Sequence, residues 1–117
     1  MLVTDSERST KIRQELWVSM VSLFRSHLVA LEISGRLSGV TIEELFDNEI
    51  YITTGEFGVL SIWINTECGD GSVRVITEDV DTAGPWSMSI DGTITLNGES
   101  LEMEFAVERF AAMLLKK

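Results

Sequence analysis

A nucleophile needs a base beside it, and this chain offers one cysteine, Cys68, and one histidine, His27. Cys68 lies in Glu67-Cys68-Gly69-Asp70-Gly71, whose glycines predict a loop. Its acidic neighbours are poor company for a reactive thiolate. His27 falls in a stretch of helical periodicity, at the edge of the apolar stripe. A lone histidine there reads as a boundary residue, because a metal site or a catalytic base needs partners. One cysteine and one histidine fall short of a nucleophile signature.

Asp79-x-Asp81-x-Ala83-Gly84 resembles the opening of a calcium loop. That loop needs an oxygen ligand where Ala83 stands and a bidentate glutamate where Ile90 stands. The reading is a solvated acidic loop, with adventitious cation binding by Glu78, Asp79 and Asp81 at most. The chain contains no glycine-rich phosphate loop, HExxH, CxxC or Gly-x-Ser-x-Gly motif. With 19 carboxylates to choose from, no pair stands out as acid and base. The sequence thus assigns no catalytic residue, cofactor or metal, and the expectation is a protein that is not an enzyme.

The remaining candidates are aromatic and aliphatic. Trp17, Phe24, Phe57, Val59, Trp63 and Trp86 occupy patterned positions in predicted helices and strands. Core packing is their first reading. A homodimer interface is another, because aromatics are enriched there. A third is the wall of a pocket between helix and sheet for a small apolar or cationic ligand, with methionines making it adaptable.

Charge narrows the partners. The formal net charge is −10, and residues 41–108 carry fifteen acids against one base, Arg74. Such a field repels phosphate backbones, so nucleic-acid binding is not expected. It serves solubility, or it presents an acidic face to a basic protein partner, or it imitates nucleic-acid charge. The 117 residues suit a single domain with its own core. One cysteine excludes an intramolecular disulfide. The first residues lack the pattern of a secretory signal. Leu16–Leu31, with Arg25, His27 and its serines, reads as too short and too polar to cross a membrane. The expected location is the cytoplasm.

These residues need elements to position them. Thr4-x-x-Glu7 forms a capping box, and Leu16, Trp17, Met20, Val21, Phe24, Leu28 and Leu31 follow at helical spacing. Gly35 provides a stop. A helix from Asp5 to Ile33 is about 43 Å long, against about 30 Å for a compact domain of this size. Its first turns must protrude or be shared. Thr41-x-x-Glu44 predicts a second, short helix to about Phe46.

The period then changes to two. Glu49–Thr54 and Phe57–Asn65 read as strands joined through Gly55-Glu56. The second is apolar on both faces, which calls for cover on both sides. If the helices cover one face, a second copy of the chain is the natural cover for the other. Ser72–Thr77 is a third strand, and Glu78–Pro85 reads as a loop. Trp86–Asp91 and Thr93–Asn97 form a hairpin. A three-residue loop, Ile90-Asp91-Gly92, pairs Met88 with Ile94 and Trp86 with Leu96, keeping apolar side chains on one face. A last helix runs from about Glu99 to Leu115, with a stripe of Met103, Ala106, Val107, Phe110, Met113 and Leu114. Its acidic start and Lys116-Lys117 end match the helix dipole.

The expected architecture is an α+β two-layer sandwich: long helix, short helix, five antiparallel strands, terminal helix. Both long helices should cover the face of Trp86, Met88, Ile94 and Leu96. This layout is loosely similar to those of secretion chaperones and immunity proteins, with no residue motif behind the likeness. The expected function is a small acidic protein-interaction or regulatory module, homodimeric and of a chaperone, immunity or inhibitor kind.

Overall fold

The apolar spacing of the first helix has a physical destination. In the computed structural model, which describes residues 5–55 and 58–115, α1 runs Asp5–Ile33. Trp17, Met20, Val21, Phe24, Leu28 and Leu31 are all buried. Gly35, at φ +79°, ends the helix, and the Arg36 N–H closes back on the Leu31 carbonyl at 2.9 Å. That is the 6→1 bond of a Schellman stop. Arg13 fixes the other half, its Nε donating to the Met88 carbonyl at 3.3 Å and its Nη1 to the Glu67 carbonyl at 3.0 Å. The helix outruns the body: the molecule measures 51 × 25 × 23 Å. Thr4 of the capping box lies outside the described residues, as do Glu56, Phe57, Lys116 and Lys117.

By length and composition the 27-residue stretch Glu7–Ile33 is sufficient to cross a bilayer. It is longer than the Leu16–Leu31 window considered from the sequence. In the fold, its apolar stripe lies against the sheet.

The sheet has seven strands, not five, in the order β1-β2-β3-β4-β5-β6-β7, each antiparallel to the next. They are β1 Thr41–Leu45, β2 Glu49–Thr54, β3 Gly58–Ile64, β4 Asp70–Ile76, β5 Asp81–Met88, β6 Ile94–Leu96 and β7 Glu99–Leu101. The closing helix, α2, spans Met103–Ala112.

The short helix expected at Thr41–Phe46 is β1 instead. Only five residues separate Val40 from Phe46, too few to repay helix nucleation. As a strand the segment gains ladder partners from β2 and packs Ile42 against the core. Glu44, the supposed capping carboxylate, accepts from Arg25 Nη2 at 2.9 Å.

The loop expected at Glu78–Pro85 contracts to a tight turn, with the Thr77 N–H donating to the Val80 carbonyl at 2.7 Å. Strand β5 starts at Asp81 and carries Pro85 within it. Antiparallel alternation from the Thr77–Val80 bond makes Ser72↔Pro85 a non-hydrogen-bonded pair. The Pro85 nitrogen therefore faces away from β4, where β6 has already turned at Asn97-Gly98. No ladder bond is lost.

The last helix begins at Met103, not Glu99. Asn97 and Gly98 have φ +54° and +77°, the type I′ turn that Asn-Gly favours, and they join Leu96 to Glu99 across β6 and β7. The β5–β6 hairpin matches the sequence register: Met88 pairs with Ile94 and Trp86 with Leu96. The Ser89 N–H donates to the Thr93 carbonyl at 3.0 Å around Ile90-Asp91-Gly92, with Gly92 at φ +89°.

Both helices lie on one face of the sheet. Ile50, Ile52, Leu60, Ile62, Ile64, Val73, Val75, Trp86, Met88, Ile94 and Leu96 meet Ala106, Val107, Phe110, Ala111 and Leu114 with the α1 stripe in one buried cluster.

Candidate interaction face

Strand side chains alternate, so the residues between those core positions emerge on the opposite face, which no helix or strand among the described residues covers. The register orders them in rows. One row is Thr41, Thr53, Val59, Ile76 and Asp81; the next is Glu43, Tyr51, Ser61, Arg74 and Ala83; the third is Leu45, Glu49, Trp63, Ser72 and Pro85. Leu45, Tyr51, Val59 and Ile76 are half-buried. Trp63 is 38% exposed. The result is a mixed aromatic and aliphatic surface with polar residues set into it.

Arg74 lies on β4, the central strand. Its Nε and Nη2 each donate to an Asp81 oxygen at 3.2 Å. This two-pronged contact with Asp81 raises the guanidinium pKa, and Tyr51 adds a smaller push in the same direction. With both partners more than half exposed, the pair fixes a side-chain position more than it stabilises the fold.

The sequence candidates separate on this geometry. Trp17, Phe24 and Trp86 are 3%, 0% and 3% exposed. Trp17 and Trp86 stack with centroids 6.4 Å apart. Trp86 meets Phe110 edge-on at 5.6 Å, and Phe110 meets Phe24 at 6.0 Å. The Trp86 indole N–H donates to the Ser72 carbonyl at 3.1 Å. These rings pack in the core, ring against ring. Only Val59 and Trp63 of the six reach the open face, and Phe57 lies outside the described residues.

Gly71 explains how Trp86 packs against the sheet. A Cβ there would collide with the Trp63 carbonyl oxygen and sit 2.7 Å from the Trp86 ring.

Cys68 is exposed in the β3–β4 turn, its Sγ 3.6 Å from Asp70 Oδ2. His27 lines a groove of about 220 Å³ between the helices, with Leu23, Ser26, Glu104, Val107 and Glu108. Arg13 touches the Cys68 turn, and His27 stands 14 residues further along α1, about 21 Å at the helical rise. Thiol and imidazole are not partners. Asp81 is engaged by Arg74, and Glu78 and Asp79 form the tight turn. Among the described residues no group of three or more His, Cys, Asp and Glu side chains is arranged to hold a metal.

Sequence reasoning missed Leu45, Tyr51, Arg74 and Ile76 as members of the open face. Tyr51 and Ile76 sat in predicted strands, and pairing register was the signal that would have grouped them. Phe46, in the β1–β2 turn, was missed as well; it is 91% exposed with φ +58°. Comparison with family models, curated proteins and solved structures returns no match.

Proposed function

We propose that this chain is a small acidic, non-enzymatic protein-interaction module that pairs with a second copy of itself through the open sheet face. One observation carries the reading. The strands β1–β5 bury their other face under two helices, yet on this face Trp63, Tyr51, Val59, Ile76 and Leu45 stand together with no covering layer among the described residues.

Area and charge both favour a second copy as the cover. Five strands about 4.8 Å apart and about 20 Å long together present roughly 500 Å² per copy. Two such faces bury about 1,000 Å², the lower bound of a specific interface. Sheets stack face to face in this way, about 10 Å apart. A two-fold axis along β3, the middle of the five, sets β4 of each copy over β2 of the other. Arg74 then lies over Tyr51 and beside Glu49 of the second copy, a cation over an aromatic ring and near an anion. Each contact occurs twice, as a two-fold interface requires. An interface of this size gives a concentration-dependent dimer. Such a module would act by holding or blocking another protein, as chaperones, immunity proteins and inhibitors do.

Sedimentation equilibrium tests the pairing. The expected result is a rise towards twice the protomer mass with concentration, abolished in Val59→Asp. A wild-type protein that remains a monomer through millimolar concentration overturns the dimer.

A further inference from the structure

The β1–β2 turn combines three features that folding alone does not require. Phe46 is 91% exposed. Its φ of +58° is the left-handed region, which a bulky side chain enters only at a cost. The next two residues, Asp47 and Asn48, are of the types that accept that conformation readily. The turn is also held rigidly. The Asn48 side-chain amide donates to the Ile64 carbonyl at 3.0 Å, and the Ile64 N–H donates to the Asn48 carbonyl at 3.0 Å. The tip is thereby bolted to β3, one residue beyond Trp63.

In the sequence around this ring every charged residue is acidic. Glu43, Glu44, Asp47 and Glu49 lie within three residues of it. Arg25 pairs with Glu44; Glu43, Asp47 and Glu49 have no ion-pair partner among the described residues. An exposed aromatic on a tethered turn, with acidic residues beside it in the sequence, is the form of an interface anchor.

We infer that Phe46 is the anchor by which this protein docks a second protein, one presenting an apolar pocket rimmed by lysine and arginine. The inference rests on the interaction-module reading but not on the dimer. Phe46 lies at the tip beyond the sheet, and Val59 lies at the far end of the open face. The acidic rim fits a basic protein surface and repels anionic lipid.

The test places the photo-crosslinker p-benzoylphenylalanine at position 46 of the full chain, in native host cells. The cross-linked peptide is located by mass spectrometry. The expected result is one dominant partner, joined within a basic surface. The purified pair should then lose affinity at least tenfold in Phe46→Asn and several-fold in Asp47→Asn, and weaken as salt rises. Phe46→Asn should melt no lower than the wild type, so that lost affinity is not lost folding. Val59→Asp, which breaks the dimer, should leave the adduct intact. Adducts only with a second copy of this chain, only with lipid, or with no protein above background would overturn the proposal, as would a partner surface that is acidic. If the wild type proves monomeric while the adduct persists, the dimer fails and the anchor stands.

Discussion

The same strands build two unlike surfaces. On β3, Leu60, Ile62 and Ile64 are each 0% exposed, while Trp63 between them is 38% exposed. The covered face is aliphatic and aromatic at its centre, with two helices closing it and the helix-to-sheet pairs Arg25–Glu44 and Arg109–Glu99 at its rim. The open face alternates Trp63, Tyr51, Val59 and Ile76 with serine, threonine, glutamate and one arginine. A purely solvated sheet face would carry few large apolar groups, and the centre of a core face would carry no ion pair, whereas Arg74 and Asp81 pair within the open face. The intermediate composition is what interfaces that open and close in water tend to have. The covered face holds the fold together, and the open face is the surface that the proposed pairing would cover.

That division is exposed to mutation. Phe110→Ala removes a ring touching both Trp86 and Phe24, and should cost about 3–5 kcal/mol in urea unfolding. Trp63→Ser on the open face should cost under about 1 kcal/mol at low protein concentration, because the ring is already partly in water. Equal losses would erase the distinction between the faces.

Gly71→Ala sits on the boundary. Its Cβ collides with the Trp63 carbonyl and the Trp86 ring, so a loss of about 1–3 kcal/mol is expected from overpacking. Phe46→Asn should act in the opposite direction, stabilising by about 1 kcal/mol through relief of the left-handed backbone. A destabilised Phe46→Asn would show that the ring contributes to the fold and weaken its role as an anchor.

The smallest effect concerns Asp91 in the β5–β6 turn. The Ser89 hydroxyl donates to its carboxylate, as does the Thr93 N–H at 2.9 Å. These bonds, the Ser89 one foremost, lower its pKa to about 2. A carboxyl that is more acidic when folded stabilises above its unfolded pKa of about 3.9. That contribution is lost as pH falls from about 4 through about 2. Carbon-detected NMR should show Asp91 titrating near 2, and Asp91→Asn should flatten the stability profile across that interval.

How far the sequence could be read follows the same division. The helix-covered face was legible because its pattern is strict. Met88 with Ile94 and Trp86 with Leu96 can share a face in only one hairpin register, and that register is present. The errors arose where short polar segments carry two meanings. Thr41-x-x-Glu44 has capping-box spacing, but Glu44 answers Arg25 on a helix distant in sequence. Pro85 argued against a strand, yet it occupies the stretch of β5 whose outer edge is free. Asn97-Gly98 is a strong hairpin signal that yields a strand where a helix start was expected. The open face depends on the pairing of β1 to β5, which no single segment encodes.

Trp63 reports on the central claim directly, because Trp17 and Trp86 are each only 3% exposed. Acrylamide quenching of tryptophan fluorescence therefore senses the open face alone. Titrated against protein concentration, quenching should weaken as copies pair and cover Trp63, and should stay constant in Val59→Asp. Quenching of the wild type that is independent of concentration, with a monomeric mass throughout, would contradict the account.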